Sequence, residues 1–565
     1  MNSITGSELV VQALQSAGVE VMFSLNGAHI DGIFQAALDA DLDLVDVRHE
    51  MNAGHAAEGY ARVTGDLGVA VVTAGGGFTN VLTSIANAYM DRTPVLYITG
   101  SGPLAMDQVN DQQAGFDQVA MATPVTKFAH RVTRADLIPR LLAQAVRTAR
   151  STPQGPVLLD IPWDVLRQSV DSDDAQEYRM KIDGFGCAPK VLSDRILGGL
   201  STAQRPVAVV GHAFASAEAR TRLHEFAVRA GVPLFSDYEG LGAITGSDWK
   251  VGLVQTLGAV PADHSPDLVI MLGLRFGLPT QFGTGKLIPK GARVFQIDPD
   301  GKELGRLQNV ELGIQADPVA TVAGFCDALG VGAAPAQNKA WLALLQEAAE
   351  NHSAALVKDA EAHHGSIHPY LAVQTIAKTI PDESVVVVDG ALTELWLSET
   401  IASANVSHYL GHGYLSSMGC NMGTALGAQY AVRDRATVLV TGDGAVGYAL
   451  AEFDSMVRAD LPVVVIVLNN QAWGATLHTQ EWLFGKGRVT HNRLANGSYS
   501  AVARALGADG FDVDTLADLK PVIESAVKSR RPTCIDVRVS LDPIPPEELN
   551  LMGGGPFTSV ENQST

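Results

Sequence analysis

Oxygen-bearing side chains follow two apolar strand patterns within residues 438–470. The first pattern, residues 438–441, ends in Gly442-Asp443-Gly444, and the second, residues 461–468, ends in Asn469-Asn470. If these strands are parallel neighbours joined by a helix, both endings lie at the carboxyl edge of one sheet, where open α/β folds bind ligands. A carboxylate and an amide oxygen suit a hard cation such as Mg²⁺, and glycines let backbone N–H groups approach a phosphate. The pattern therefore predicts a metal–diphosphate site.

A simpler interpretation of Gly442-Asp443-Gly444 also exists. Taken alone, this tripeptide is more often just a turn. Two strand ends with matched oxygen donors, separated by one helical crossover, are much rarer. The combination favours the metal site.

Glu50 is the first candidate for proton transfer. It follows the apolar strand pattern 42–47 and begins a helix of small residues. An acid at this position can simply favour the helix dipole, or it can hand a proton to a ring nitrogen of a bound cofactor. His29, Gln113, Trp163 and His412 are similarly ambiguous, because each alone is more often a satisfied structural side chain.

Chain length, net charge and cysteine content limit the class of protein that carries these residues. A chain of 565 residues is too long for one core, so two to four domains are expected. The formal net charge of −21 argues against nucleic acid or a membrane surface as partner. The four cysteines are far apart, the N-terminus lacks a signal peptide pattern, and no apolar run approaches the roughly 20 residues of a membrane span. We expect a soluble, cytoplasmic protein.

Strand patterns that alternate with helical ones predict the fold class, an α/β protein with three doubly wound parallel-sheet domains. The expected bounds are residues 1–175, 188–332 and 362–545, with polar linkers at 168–180 and 333–339 and a surface tail at 546–565. The middle unit has nucleotide-fold-like strand ends at Gly211-His212 and Asp298-Pro299 but no GxGxxG, so a structural role is expected for it.

Nearly the whole chain resembles the benzaldehyde lyase branch of the pyruvate decarboxylase-like thiamine diphosphate enzymes. The matching stretches include NGAHIDGIFQA, RHEMNAGHAAEGYAR, VTAGGGFTN, GPVLLDIPWD, GHGYLSSMG, TGDGAVGY, NNQAWGATLH and LDPIPPEEL. The resemblance implies three similar domains (pyrimidine-binding, central and diphosphate-binding) and the cofactors thiamine diphosphate and Mg²⁺. It also implies a homo-oligomer, at least a dimer and expected to be a tetramer, because two subunits of this family share each cofactor.

The resemblance also implies roles for individual residues. Glu50 would activate the cofactor, and His29 with Gln113 would handle the proton of the substrate hydroxyl. Cofactor binding is implied for Glu50, Gly390, Thr393, Met418, Gly444, Ala445 and Asn470. Mg²⁺ binding is implied for Asp443, Asn470 and the Ala472 carbonyl. The substrate pocket is implied to contain Ala28, His29, Gln112, Gln113, Trp163, Glu394, His412, Ser416, Ala475 and Thr479.

The implied reaction is cleavage of 2-hydroxy ketones such as benzoin to aldehydes, with carboligation as its reverse. Gln112, Glu394, Ser416 and Thr479 depart from this branch, which has leucine, tyrosine, glycine and phenylalanine at these positions. Because a buried polar group needs a partner, these departures favour smaller or hydroxylated substrates. The expected partners are small aldehydes and 2-hydroxy ketones, with no nucleic acid and no membrane.

Other functions remain open at this level. A 2-hydroxyacyl-CoA or 2-oxo acid lyase or decarboxylase of the same superfamily would need cations near the site. An acetolactate synthase with a flavin is disfavoured, because the central unit lacks a convincing dinucleotide turn. Outside enzymes, a scaffold could bind the cofactor without turnover.

Overall fold

The computed structural model describes residues 3–107, 109–171, 178–180, 184, 186–330, 336–495 and 497–552. Within them the chain forms three parallel sheets of six strands each, one after another along the sequence. The predicted fold class is confirmed. Most of the strands are buried and rich in Val, Leu and Ile, as expected for parallel sheets covered by helices on both faces.

The first domain is built on the sheet β3-β2-β4-β5-β7-β6. Its strands are β1 Ser3–Thr5, β2 Val21–Ser24, β3 Asp43–Asp46, β4 Gly68–Val72, β5 Val95–Ser101, β6 Phe128–Arg131, β7 Val157–Pro162 and β8 Ser169–Asp171. Its helices are α1 Gly6–Ser16, α2 Asp31–Asp39, α3 Glu50–Thr64, α4 Gly76–Met90, α5 Gln118–Ala122, α6 Ile138–Arg150 and α7 Trp163–Arg167. Strand β8 pairs with β1 in a separate antiparallel pair, so part of the predicted linker 168–180 is a strand.

The central domain has the strand order β11-β10-β9-β12-β13-β14. Its helices are α8 Lys190–Thr202, α9 Ala217–Ala230, α10 Leu241–Ile244 and α11 Pro318–Leu329. Its strands are β9 Pro206–Val210, β10 Leu234–Ser236, β11 Lys250–Leu253, β12 Leu268–Leu272, β13 Arg293–Asp298 and β14 Leu312–Gln315.

The long helix α12, Ala336–Glu361, follows the central domain. The predicted linker 333–339 overlaps its start, and residues 333–335 lie outside the described residues. The sequence patterns had predicted no helix or strand for this stretch.

The third domain has the strand order β16-β15-β17-β18-β20-β19. Its helices are α13 Pro369–Thr379, α14 Ala391–Ile401, α15 Asn421–Ala431, α16 Asp443–Val446, α17 Glu452–Arg458, α18 Gly474–Phe484, α19 Tyr499–Ala505 and α20 Leu516–Ser529. Its strands are β15 Val385–Asp389, β16 His408–Leu410, β17 Thr437–Gly442, β18 Val464–Asn469, β19 Asp509–Val513 and β20 Thr533–Arg538. Strands β17 and β18 are adjacent and parallel, with Gly442 beside Leu468, as predicted for the two strands of residues 438–470.

The predicted surface tail starts differently from the expectation. Residues Pro546–Met552 form a last helix, α21, in which Glu547 and Glu548 are buried. The Tyr238 hydroxyl donates to Glu547 Oε2 at 2.8 Å, and Glu548 Oε2 lies 3.1 Å from His478 Nδ1. These contacts tie α21 to the central domain and to α18. Residues 553–565 lie outside the described residues.

Helices α3 and α15 join the first and third domains through small residues. A Cβ on Gly427 would lie 1.8 Å from the Ala56 carbonyl oxygen, and one on Gly59 would lie 2.2 Å from the Thr424 oxygen. The two helices approach so closely because glycine occupies the crossing points. Arg62 pairs with Glu239 and Arg92 with Asp298, which adds buried ionic ties between the first and central domains.

Two further findings concern membrane-spanning helices and cysteines. Within the described residues, no helix combines the length and the apolar character needed to cross a bilayer. All four cysteines, Cys187, Cys326, Cys420 and Cys534, are free thiols.

Candidate functional site

Asp443 and Asn470 come together at the carboxyl edge of the third sheet. Asp443 begins α16 directly after β17, and Asn470 follows β18. The Ala472 N–H donates to both Asp443 Oδ2, at 3.2 Å, and Asn470 Oδ1, at 3.0 Å. Two oxygen donors from separate strand ends therefore converge on one point, as the sequence pattern predicted.

The Asp443 carboxylate is buried without a cationic partner among the described residues. Only 3% of the residue is exposed, and Gly444 N–H donates to Oδ1 at 3.0 Å. Burial raises the pKa of Asp443 to about 6, and the opposing influences come from backbone N–H groups. No Lys or Arg of the described chain forms an ion pair with it. A divalent cation would supply the missing positive charge, so the donor set fits Mg²⁺.

Glycines allow protein groups to pack closely beside these donors. A Cβ on Gly444 would lie 2.6 Å from the Trp473 ring, and a Cβ on Gly474 would lie 2.9 Å from Asn470 Nδ2. Gly390, which precedes α14, has φ of +91°, a conformation that favours glycine. Residues at the start of α14 and α16 line the cavity described next, so their backbone N–H groups fit a diphosphate there.

A cavity of about 370 Å³ opens over this edge. Most of the third-domain residues that the sequence singled out line it: Gly390, Thr393, Glu394, His412, Ser416, Met418, Asp443, Gly444, Ala445, Asn470, Ala472 and Ala475. Thr479 is not among the lining residues. It lies one turn further along α18, is exposed, and its hydroxyl donates to the Ala475 carbonyl at 2.9 Å.

Part of the cavity wall was missed by sequence reasoning. Leu392, Trp473 and Leu541 line it from the third domain and the segment after β20, and Leu278 reaches it from the central domain. Trp473 and Leu541 lie in stretches that carried the family resemblance, which could have marked them. Leu278 has no such signal in the sequence.

Glu50 and His29 lie near each other at the carboxyl edge of the first sheet. Glu50 is the first residue of α3, is 8% exposed, and accepts a hydrogen bond from Asn80 Nδ2 at 2.9 Å. His29 Nδ1 lies 3.2 Å from Thr73 Oγ1, and burial lowers the pKa of His29. A Cβ on Gly77 would touch both Thr73, at 2.9 Å, and Glu50 Oε1, at 3.4 Å, so Thr73 and Glu50 are also close.

The other predicted first-domain residues occupy loops at this same edge. Gln113 has φ of +54°. Its backbone packs tightly on Gly75, because a Cβ added to Gly75 would lie 2.7 Å from Gln113 Cα. Ala28, Gln112 and Gln113 are exposed. Trp163 begins α7 directly after β7 and is 37% exposed, with the Arg167 guanidinium 4.6 Å from its ring centroid.

Left-handed backbone occurs at three non-glycine residues of the site. Gln113, Ser416 and Gln471 have φ of +54°, +55° and +59°. Gln471 lies between the two predicted metal-binding positions Asn470 and Ala472. Such conformations cost about 1–3 kcal/mol each and cluster at functional sites.

The first-domain residues and the third-domain cavity form two separate half-sites in one chain. No described residue of the first domain lines the cavity. Near it, Leu415, Met418 and Tyr448 are 39%, 37% and 58% exposed. Asp443 and Asn470 thus lie in the third-domain cavity, whereas Glu50 and His29 lie outside it.

Comparisons with known proteins identify the family of this chain. Models of the thiamine pyrophosphate enzymes match the chain in three parts: the N-terminal TPP binding domain at residues 4–121, the central domain at 193–325 and the C-terminal TPP binding domain at 389–537. An acetolactate synthase of Mycobacterium bovis is 30% identical over 563 residues, covering 96% of this chain and 89% of the relative. The large subunit of acetolactate synthase isozyme 2 of Escherichia coli is 27% identical, covering 95% of this chain and 96% of the relative. These relatives identify the superfamily and give no specific support to the benzaldehyde lyase branch.

Proposed function

This chain belongs to the thiamine pyrophosphate enzyme family, and from that premise we propose that it is a thiamine diphosphate- and Mg²⁺-dependent carbon–carbon lyase and ligase. Its substrates would be 2-hydroxy ketones, which it cleaves to aldehydes, and the aldehydes that it joins in reverse. The main support for this substrate class is the lining of the third-domain cavity. Glu394, His412 and Asp443 are its titratable side chains among the described residues, and no described Lys or Arg lines it.

The cofactor end of the cavity would be held by the residues already described. Asp443, Asn470 and the Ala472 carbonyl would bind Mg²⁺. The N–H groups of Gly444 and Ala445 would bind the diphosphate, and that of Gly444 would give up its bond to Asp443 Oδ1 to do so. The Gly390 carbonyl and the exposed Met418 side chain would position the pyrimidine and the bend of the cofactor. When bound, thiamine diphosphate supplies a nucleophilic carbon and an electron sink for the acyl group.

Glu50 and His29 would control protons. One Glu50 oxygen accepts from Asn80, which leaves the other to exchange a proton with the pyrimidine ring. His29 has its Nδ1 beside Thr73 and a lowered pKa. Its imidazole is therefore neutral near pH 7, and Nε2 is available to take the proton of a substrate hydroxyl. Gln113 would hydrogen-bond the same hydroxyl from the neighbouring loop.

The active unit would be a homodimer or a larger homo-oligomer. Glu50 and His29 do not line the cavity of their own chain, and exposed apolar residues, Leu415, Met418 and Tyr448, lie near that cavity. The first domain of a second copy would cover these residues and bring Glu50 to the cofactor. Each site would then combine two chains.

A second candidate function is ligation of 2-oxo acids. The names of the relatives favour it, because acetolactate synthases make a product that carries a carboxylate. The lining of the cavity disfavours 2-oxo acids, because a buried carboxylate needs a positive partner and no described Lys or Arg lines the cavity.

Aldehyde release from acyloins tests the proposed function. Purified protein is incubated with thiamine diphosphate, Mg²⁺ and either (R)-benzoin or acetoin, and aldehyde is measured beside samples without cofactor. We expect cofactor-dependent release from at least one acyloin, and no release by Glu50→Gln although this variant still binds the cofactor. Release from neither acyloin, with pyruvate consumed instead, would replace the lyase with the 2-oxo acid ligase.

A further inference from the structure

Glu394 is an acid on the wall of the substrate cavity. It lies in the first turn of α14, is 6% exposed, and lines the cavity together with His412. Its Oε2 atom is 3.2 Å from His412 Nδ1, and both side chains are more than nine-tenths buried. Because Nδ1 faces Glu394, His412 has Nε2 available for a ligand.

More acidic groups surround this pair. Glu239 Oε1 accepts from the Gly411 N–H at 3.1 Å, and a Cβ on Gly411 would lie 2.5 Å from Glu394 Oε1 and 3.5 Å from Glu239 Oε1. The carboxylates of Glu394 and Glu239 therefore both lie against the backbone of Gly411. The nearby cation, Arg62, is already engaged by Glu239 and by the Gly411 carbonyl.

We propose that Glu394, held against His412, is a specificity-determining residue that makes this site reject donor substrates with a carboxylate and accept neutral carbonyl and hydroxyl compounds. This inference rests on the proposed function and names the property that separates the chain from a 2-oxo acid enzyme.

The physical reason is the cost of an unpaired buried anion. A substrate carboxylate beside Glu394 would leave water without meeting a Lys or Arg on the described cavity wall. A neutral carbonyl or hydroxyl has no such cost and can hydrogen-bond to the pair. Burial, with Glu239 and Asp389, raises the pKa of Glu394 to about 8, and burial lowers the pKa of His412. Both groups are therefore uncharged near pH 7.

The same arrangement predicts a pH dependence for carboxylate substrates. The titratable and charged groups that act on Glu394, or on which it acts, are His412, Glu239, Asp389, Arg62, Tyr238, Tyr409 and Glu547. As the pH rises through about 8, Glu394 becomes an anion. Rejection of carboxylates should then strengthen, while the use of neutral donors should not follow this titration.

The test compares two donors that differ by one carboxylate, benzaldehyde and benzoylformate, which loses that group as CO₂. The ratio of their kcat/KM values is measured from pH 6.5 to 9 for the parent enzyme and for Glu394→Gln. We expect the parent ratio to favour benzaldehyde by about tenfold or more and to rise above pH 8. In Glu394→Gln the ratio should match the parent value near pH 7, where Glu394 is itself uncharged, and should lose the rise above pH 8, so that it lies about tenfold below the parent ratio at pH 9. Glu524→Gln, which alters an exposed acid on α20, is the matched control and should keep the parent ratio.

Binding without turnover provides a second measurement. The affinity of the cofactor-loaded protein for benzamide and benzoate is measured by calorimetry at pH 9, where Glu394 is an anion, and we expect Glu394→Gln to gain affinity selectively for benzoate. Retained cofactor binding shows that this variant is folded.

Two results would overturn the inference while the lyase activity stands: a parent enzyme that uses both donors equally, or a ratio at pH 9 that is unchanged in Glu394→Gln. Failure of the proposed function has a different appearance, because no neutral donor or acyloin would then be turned over by the parent enzyme.

Discussion

Replacing Gly427 with alanine should separate the two helices that join the first and third domains. The added Cβ would lie 1.8 Å from the Ala56 carbonyl oxygen, whereas ordinary contacts lie between 3.4 and 4 Å. Because the clash is with backbone, α3 and α15 must move apart by more than 1 Å along their closest crossing. Overpacking of this kind costs about 3 kcal/mol, or roughly 6 to 12 °C in the unfolding midpoint of a domain of this size. The shift also moves Glu50 at the start of α3, so the KM for thiamine diphosphate should rise.

Thermal unfolding followed by circular dichroism measures this effect, with Gly324→Ala as the control. Gly324 lies inside α11, and a Cβ added there would meet no heavy atom within 4 Å, so alanine should stabilise the helix by about 0.5–1 kcal/mol. If Gly427→Ala unfolds at the same temperature as Gly324→Ala, the close helix crossing is not a determinant of stability and the reasoning fails.

Other substitutions test single features of the site. Asp443→Ala should weaken thiamine diphosphate binding in the presence of Mg²⁺ by about 100-fold, and calorimetry with equal affinities would contradict the metal assignment. His29→Ala should lower kcat by about 10²–10⁴ with cofactor binding intact. Because burial lowers the pKa of His29, the acidic limb of kcat/KM in the parent enzyme should lie below pH 6.5, and a limb above that value would argue against His29 as the base. Ser416→Gly relieves a left-handed φ of +55° and should stabilise the protein by about 1 kcal/mol in thermal unfolding; a lower midpoint would refute this. Thr479→Ala should change kcat/KM less than about twofold, because Thr479 does not line the cavity and its hydroxyl already donates to the Ala475 carbonyl.

The convergence of Asp443 and Asn470 could be predicted from the sequence because its determinants are local. Parallel strands that are buried on both faces produce uninterrupted apolar runs, and β17 and β18 have such runs. The residues that end these strands, Asp443 and Asn470, must meet once the strands are neighbours. The placement of Glu50 and His29 at the first sheet edge follows from the same rule.

Long-range partners explain what the sequence could not reveal. Helix α12 is rich in alanine and charged residues, and Trp341 and Leu345 become buried only against the central domain. From the sequence, Glu547 and Glu548 are expected to be exposed acids. In the structure they are buried, because Tyr238 and His478, which are distant in sequence, contact them. Nothing in the local sequence around Glu394 indicates its contact with His412.

These two kinds of feature support the family assignment and the proposed substrate separately. The proposed cofactor site depends on glycine positions, strand ends and backbone N–H groups, which many sequences can provide. The substrate wall depends on a few side chains, and a single change at Glu394 or His412 alters its charge. Identity near 30% therefore assigns the chain to its family but carries little information about the donor. The proposed preference for neutral acyloins therefore rests on the cavity wall, which has Glu394 and His412 and no described Lys or Arg, and not on the names of the relatives.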